Sequence, residues 1–112
     1  MSQAGIGFFV KLRVRPECVD EWLAALDELL RQMSKEPSFV SCHLDRDAAE
    51  PCLFTLYERW REPSVEAFLA NQSTPYRARY DALLPRLLQG PREAQVLLPL
   101  RVWAQPGNAT AA

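Results

Sequence analysis

The sequence predicts an α+β domain in the order strand, helix, strand, strand, helix, strand. Three observations carry that expectation. An alternating apolar strand over 6–14 is followed by a long amphipathic helix. A strand at Cys52-Leu53-Phe54-Thr55-Leu56-Tyr57-Glu58-Arg59-Trp60 is apolar on both sides, and an interrupted helical region follows it before a last alternating segment. Alternation marks strands and the three-to-four spacing marks helices.

In the first strand Ile6, Phe8, Val10, Leu12 and Val14 alternate with Gly7, Phe9, Lys11, Arg13 and Arg15, and Pro16 ends it. A helix over 17–34 then carries Val19, Trp22, Leu23, Leu26, Leu29, Leu30 and Met33 as its stripe, with Trp22 and Met33 assigned to the core. Glu17, Asp20 and Glu21 open it and Arg31 and Lys35 close it, which complements the helix dipole. The second strand, over 39–46, places Val40, Cys42 and Leu44 opposite to Ser41, His43 and Asp45. The short connection 47–51 makes a hairpin with the third strand. Pro63 is expected in the first turn of a short helix bearing Val65, Phe68 and Leu69. Asn71-Gln72-Ser73 interrupts it, and Thr74-Pro75 reads as a cap opening a second piece with Tyr76, Tyr80, Leu83, Leu84 and Leu87. Pro85 is expected to kink or end that piece, and Gly90-Pro91 to stop it. A last strand is expected over 92–102, with Ala94, Val96, Leu98 and Leu100 on one face.

This order is that of a ferredoxin-like split βαβ fold with a four-stranded antiparallel sheet. Two helices cover one face of such a sheet. Apolar residues on both sides of the third and fourth strands therefore predict that the second face is covered by another copy, giving a homodimer, although Lys11, Arg13 and Arg15 make it partly polar.

The chain of 112 residues, 48% of them hydrophobic, is sized for one domain, expected over residues 1–103 with a disordered tail over 104–112. Thirteen basic against fourteen acidic residues leave a formal charge of -1 with no basic cluster, which argues against nucleic acid. No signal peptide or membrane span is expected from the first residues. Cys18, Cys42 and Cys52 have no metal-ligand spacing and read as reduced thiols of a cytoplasmic protein, and no metal site is expected.

Six residues are candidates for a site. Glu58 ends an apolar row and is a candidate general base, the competing reading being a structural pair with an arginine. His43 is the sole imidazole; it is a candidate proton acceptor or else a polar edge residue. Trp60 offers a flat wall and an indole N–H, or else belongs to the core. Phe68, Tyr76 and Tyr80 border the helix break, where a small apolar cavity is expected, and the two tyrosines also have the spacing of an ordinary packing pair. Arg77 and Arg79 read as solvated.

Phe8-Phe9-Val10-Lys11-Leu12-Arg13-Val14, Leu56-Tyr57-Glu58-Arg59-Trp60-Arg61-Glu62, the broken helical region and Leu87-Leu88-Gln89-Gly90-Pro91, in that order, resemble the antibiotic biosynthesis monooxygenase family, which includes quinol monooxygenases. The resemblance spans roughly 7–100 and implies a dimeric α+β barrel and a cofactor-independent monooxygenase acting on a small aromatic or quinol-type substrate. The family also hosts haem-degrading enzymes, isomerases and proteins without an assigned reaction. Many relatives have a histidine on the helix after the Glu-x-Trp strand, where this chain has Phe68. The haem-degrading branch uses Asn, Trp and His at positions aligned with Val10, Phe68 and Ala78, so haem cleavage is not expected. Two alternatives stay open: an isomerase that shuttles a proton through His43 or Glu58, and a non-catalytic ligand-binding or stress-related dimer.

Overall fold

The computed structural model describes residues 5–106. The tail expected over 104–112 lies outside the described residues from 107 onward, as do the first four residues of the segment read for a leader. Strand β1 runs Ile6–Arg13, a single 3-10 turn follows at Pro16–Cys18, and helix α1 spans Val19–Met33. The hairpin of β2 (Phe39–Arg46) and β3 (Leu53–Trp60) comes next, then α2 (Val65–Asn71), α3 (Pro75–Leu87) and β4 (Glu93–Leu97). The four strands form one antiparallel sheet in the order β2-β3-β1-β4. This is the expected ferredoxin-like arrangement.

Cross-strand register decides which side chains meet, because directly opposed residues point the same way. Across the helix-covered face Cys42 opposes Glu58, Glu58 opposes Phe8, and Phe8 opposes Val96. One residue along, His43, Tyr57, Phe9 and Gln95 form the corresponding row on the opposite face. The core lies on the covered face, where α1 buries Trp22, Leu26, Leu29 and Met33 against Val10, Leu12, Phe54 and Leu56. Four such side chains contribute roughly 6–12 kcal/mol gross at about 1.5–3 kcal/mol each. Trp22 packs on Phe54 at a ring separation of 4.8 Å.

Local chemistry fixes the ends of the elements. Asp47 Oδ2 accepts from the backbone N–H groups of Ala49 and Glu50 at 2.9 Å each, which closes the β2–β3 turn and lowers the Asp47 pKa. The α2 cap is Ser64, whose Oγ accepts from Ala67 N at 3.1 Å. Pro63 therefore stands two residues before the first helical position instead of in the first turn, a correction that the Ser64 cap explains. Thr74 caps α3 with Pro75 at its first position, as expected. Pro85 does not break α3 at once. The proline cannot donate to the carbonyl one turn back, yet the helix continues two residues to Leu87 before Leu88 turns extended.

Strand β4 is shorter than the segment expected over 92–102. Its last partner is Gly7, opposite Leu97, and beyond that point Pro99 has no N–H to donate. Leu98, Leu100 and Trp103 are consequently 73%, 77% and 84% exposed. The uncovered sheet face is also less apolar than the sequence suggested. Phe9, Tyr57 and Leu97 are half-buried there, but Lys11, Arg13, Arg59, His43 and Gln95 share it.

Gly5 takes a φ of 146°, and a Cβ at that position would lie 2.5 Å from the Trp60 carbonyl oxygen. Only glycine fits so close to the backbone of β3.

Candidate functional site

A cavity of about 210 Å³ lies between the covered face of the sheet and the helices. Its floor is apolar, from Phe8 and Val10 of β1 and Leu56 of β3, and Phe68 and Tyr80 close it from the helical side. Three charged side chains reach it: Glu58, Arg77 and Arg92. Polar groups converging in an apolar cleft are the usual composition of a small-molecule site.

Glu58 faces this cavity because β3 alternates Phe54, Leu56, Glu58 and Trp60 toward the helices. It is 8% exposed. Trp60 Nε1 donates to Glu58 Oε1 at 3.0 Å, and among the described residues no hydrogen bond reaches the other carboxylate oxygen. That oxygen is not sealed in the core either, since among the described residues no buried side-chain polar atom lacks a partner. Glu58 therefore presents one fixed oxygen and one available oxygen to whatever occupies the cavity. Among the described residues no arginine pairs with it, contrary to the structural pairing weighed from the sequence.

Trp60 is 1% exposed and packs edge-on against Phe39 at 5.2 Å and against Phe68 at 5.0 Å. Its N–H is spent on Glu58, so it orients the carboxylate and is not a wall with a donor to spare. Phe68 stacks on Phe8 at 4.6 Å and forms part of the lining. The Tyr80 hydroxyl accepts from Trp22 Nε1 at 3.0 Å, and burial pushes its pKa up to about 12, so it is a neutral group at ordinary pH.

The structure separates the other two candidates from this group. Tyr76 turns toward the loop after α1 and donates to Glu36, which also accepts from Gln72 Nε2 at 2.7 Å. His43 is exposed on the uncovered face, with Tyr57 as its ring neighbour at 6.5 Å. Alternation explains the separation: positions 42 and 58 point to the helices, so position 43 cannot.

Arg77 and Arg92 line the cavity and escaped the sequence reading, and Cys42 lies next to the site without lining it. Cys42, directly opposite Glu58, is a half-buried thiol pushed up to about 12 by burial first and by the Glu58 charge second. Arg77, expected to be solvated, is half-buried; its Nε donates to Gln72 Oε1 at 2.8 Å and its Nη2 to Met33 Sδ at 3.6 Å. The spacing Arg77, Tyr80, Leu84, Leu87 puts it on the buried stripe of α3, a signal its charge had masked.

A broader depression of about 550 Å³ lies beside Gly90 and Pro91. Its one carboxylate, Asp81, is ion-paired with Arg92 at 3.0 Å, and it lacks the apolar enclosure of the smaller cavity. The smaller cavity is therefore the candidate site. Among the described residues no group of three or more metal-ligating side chains occurs, and no helix is long and apolar enough to cross a membrane.

An antiparallel sheet backed by helices on one face defines an α+β domain of the ferredoxin-like kind. The sequence matches the antibiotic biosynthesis monooxygenase family over residues 6–82, and the chain belongs to that family. The fold is similar to that of Rv0793 from Mycobacterium tuberculosis, with a TM-score of 0.78, 25% identity, and coverage of 90% of this chain and 100% of that one. It is also similar to PA3566 from Pseudomonas aeruginosa, with a TM-score of 0.75, 20% identity and coverage of 90% and 99%. A third structure, described as an antibiotic biosynthesis monooxygenase, gives a TM-score of 0.74 at 20% identity, covering 86% and 99%. No curated protein matches the chain.

Proposed function

We propose that the protein is a cofactor-independent monooxygenase acting on a small aromatic or quinol-type compound, with Glu58 as general base. The observation that carries this reading is the buried carboxylate, held at one oxygen by Trp60 and available at the other within an apolar cavity. Family membership supports the reaction class.

In this chemistry the available oxygen of Glu58 takes a phenolic proton from a hydroquinone bound against Phe68 and Tyr80. The resulting phenolate is electron-rich enough to pass one electron to dioxygen, giving a semiquinone radical and superoxide. Their recombination forms a carbon–oxygen bond at the ring, and loss of water from the hydroperoxide breaks the O–O bond. One oxygen atom ends in a hydroxyquinone and the other in water. All electrons come from the substrate, so the protein's part is a base, a dry cavity and orientation.

Oxygen uptake by the pure protein with a panel of hydroquinones tests the proposal. Acceleration over a matched buffer control, abolished in Glu58→Gln, is expected; no acceleration across the panel overturns it. His43 lies outside the cavity, which leaves a proton-shuttling isomerase with Glu58 alone. Deuterium exchange into a carbonyl compound without oxygen consumption would favour that alternative.

We further propose that residues 1–103 act as one domain and that it works as a homodimer. The half-buried Phe9, Tyr57 and Leu97 on the uncovered face and the exposed Leu98, Leu100 and Trp103 beyond β4 support this assembly. Light scattering giving the monomer mass at micromolar concentration would rule it out.

A further inference from the structure

The cavity is lined by charged groups of both signs: the Glu58 carboxylate, Arg77 of α3, and Arg92, which precedes β4. Arg92 is neutralised by Asp81 at 3.0 Å. Arg77 is not: its two hydrogen bonds run to a neutral amide oxygen and a thioether, and among the described residues no carboxylate pairs with it. These bonds fix the guanidinium through its Nε and Nη2 and leave Nη1 uncommitted.

A half-buried cation lining an apolar cavity is stabilised by an anion of matching shape, and the guanidinium fork suits a carboxylate. At about 210 Å³ the space is below the roughly 300–1,000 Å³ of drug-sized pockets, which limits the occupant to one or two rings.

We propose that the occupant is a small aromatic hydroxy acid, whose carboxylate is bound by Arg77 while its phenolic O–H faces Glu58. The role of the phenol rests on the oxygenase reading above; the carboxylate contact is tested apart from it.

The experiment is an anaerobic calorimetric titration of the full chain with gentisate, a carboxylated hydroquinone, and with hydroquinone itself. Gentisate is expected to bind about tenfold tighter or more, the size of one charge-assisted contact, and the difference should shrink as salt is raised. Arg77→Gln should abolish the preference, lowering gentisate affinity more than hydroquinone affinity, and Arg77→Lys should keep part of it. Equal or weaker binding of gentisate by the wild-type chain overturns the proposal, as does a preference that survives in Arg77→Gln. If the variant does not fold, the wild-type comparison and its salt dependence decide alone, with a salt-independent preference counting against the contact. Oxygen uptake with the same two compounds separates the readings. A gentisate preference without oxygen consumption keeps the carboxylate site and removes the oxygenase, whereas oxygen consumption without a preference does the reverse.

Discussion

Trp60 donates its indole N–H to Glu58 two residues earlier on the same face of β3, at 3.0 Å. One side chain is thereby sealed in the core and the other holds its carboxylate at a cavity wall. The pairing makes Trp60 a positioning residue for Glu58, the general base of the proposed reaction.

The two substitutions should accordingly part company. Glu58→Gln keeps an oxygen for the Trp60 N–H, so stability in urea should change by less than about 1 kcal/mol while quinol oxidation falls by roughly 10²–10⁴. Trp60→Phe leaves Oε1 unpaired and opens space in the core, costing about 2–4 kcal/mol. Because Trp60 does not line the cavity, its loss should lower kcat with little change in KM. An unchanged rate in Glu58→Gln would remove this carboxylate from the mechanism.

His43→Ala should leave activity within about twofold of wild type, because the imidazole lies on the opposite face of the sheet from Glu58. Its exposure also predicts a stability change within about 0.5 kcal/mol. A rate loss of tenfold or more would mean that the uncovered face takes part in the chemistry.

The division between what the sequence revealed and what it hid follows from how each signal arises. Periodicity placed β1, α1 and β3 to within a few residues, because their buried stripes are long and mostly apolar. The same alternation put Cys42 and His43 on opposite faces of β2. Which of those faces carried Glu58 depended on the register between β2 and β3, and that is set by the hairpin turn at Asp47 and the irregularity between Phe39 and Ser41. Tyr76 and Tyr80 looked like a pair, but the stripe of α3 runs through Arg77 and Tyr80, which carries Tyr76 round to Glu36. The sequence signal overran the end of β4 because hydrophobic alternation continues past Leu97 although the pairing with β1 stops at Gly7.

Thr74 gives a local test of the helix break. Its Oγ1 accepts from the backbone N–H of Arg77 at 3.3 Å, so Thr74→Ala should cost about 1 kcal/mol through the lost cap. Since the same bond anchors the turn that carries Arg77, gentisate affinity should fall more than hydroquinone affinity. Equal losses for the two compounds would show that the turn does not place the guanidinium.

Alkaline pH should expose the buried tyrosine. Tyr80 titrates near 12 in the fold against 10.0 for an unperturbed phenol, chiefly because burial disfavours the phenolate. The raised value means that the folded chain keeps its proton where the unfolded chain has released it. This stabilisation is therefore complete below pH 10.0 and is lost as pH climbs toward 12. A displacement of that size corresponds to about 2–3 kcal/mol. The Cys42 thiol, also raised to about 12 but from 9.0, begins to contribute a pH unit earlier. Urea unfolding followed by circular dichroism should thus show stability declining from about pH 9. In Cys42→Ala the decline should begin later, and in Tyr80→Phe the slope between pH 10 and 12 should be shallower. Tyr80→Phe should also start from a lower plateau at neutral pH, by about 1–3 kcal/mol, because the buried Trp22 N–H loses its acceptor. Slopes identical to wild type in both variants would mean that neither proton is retained by the fold.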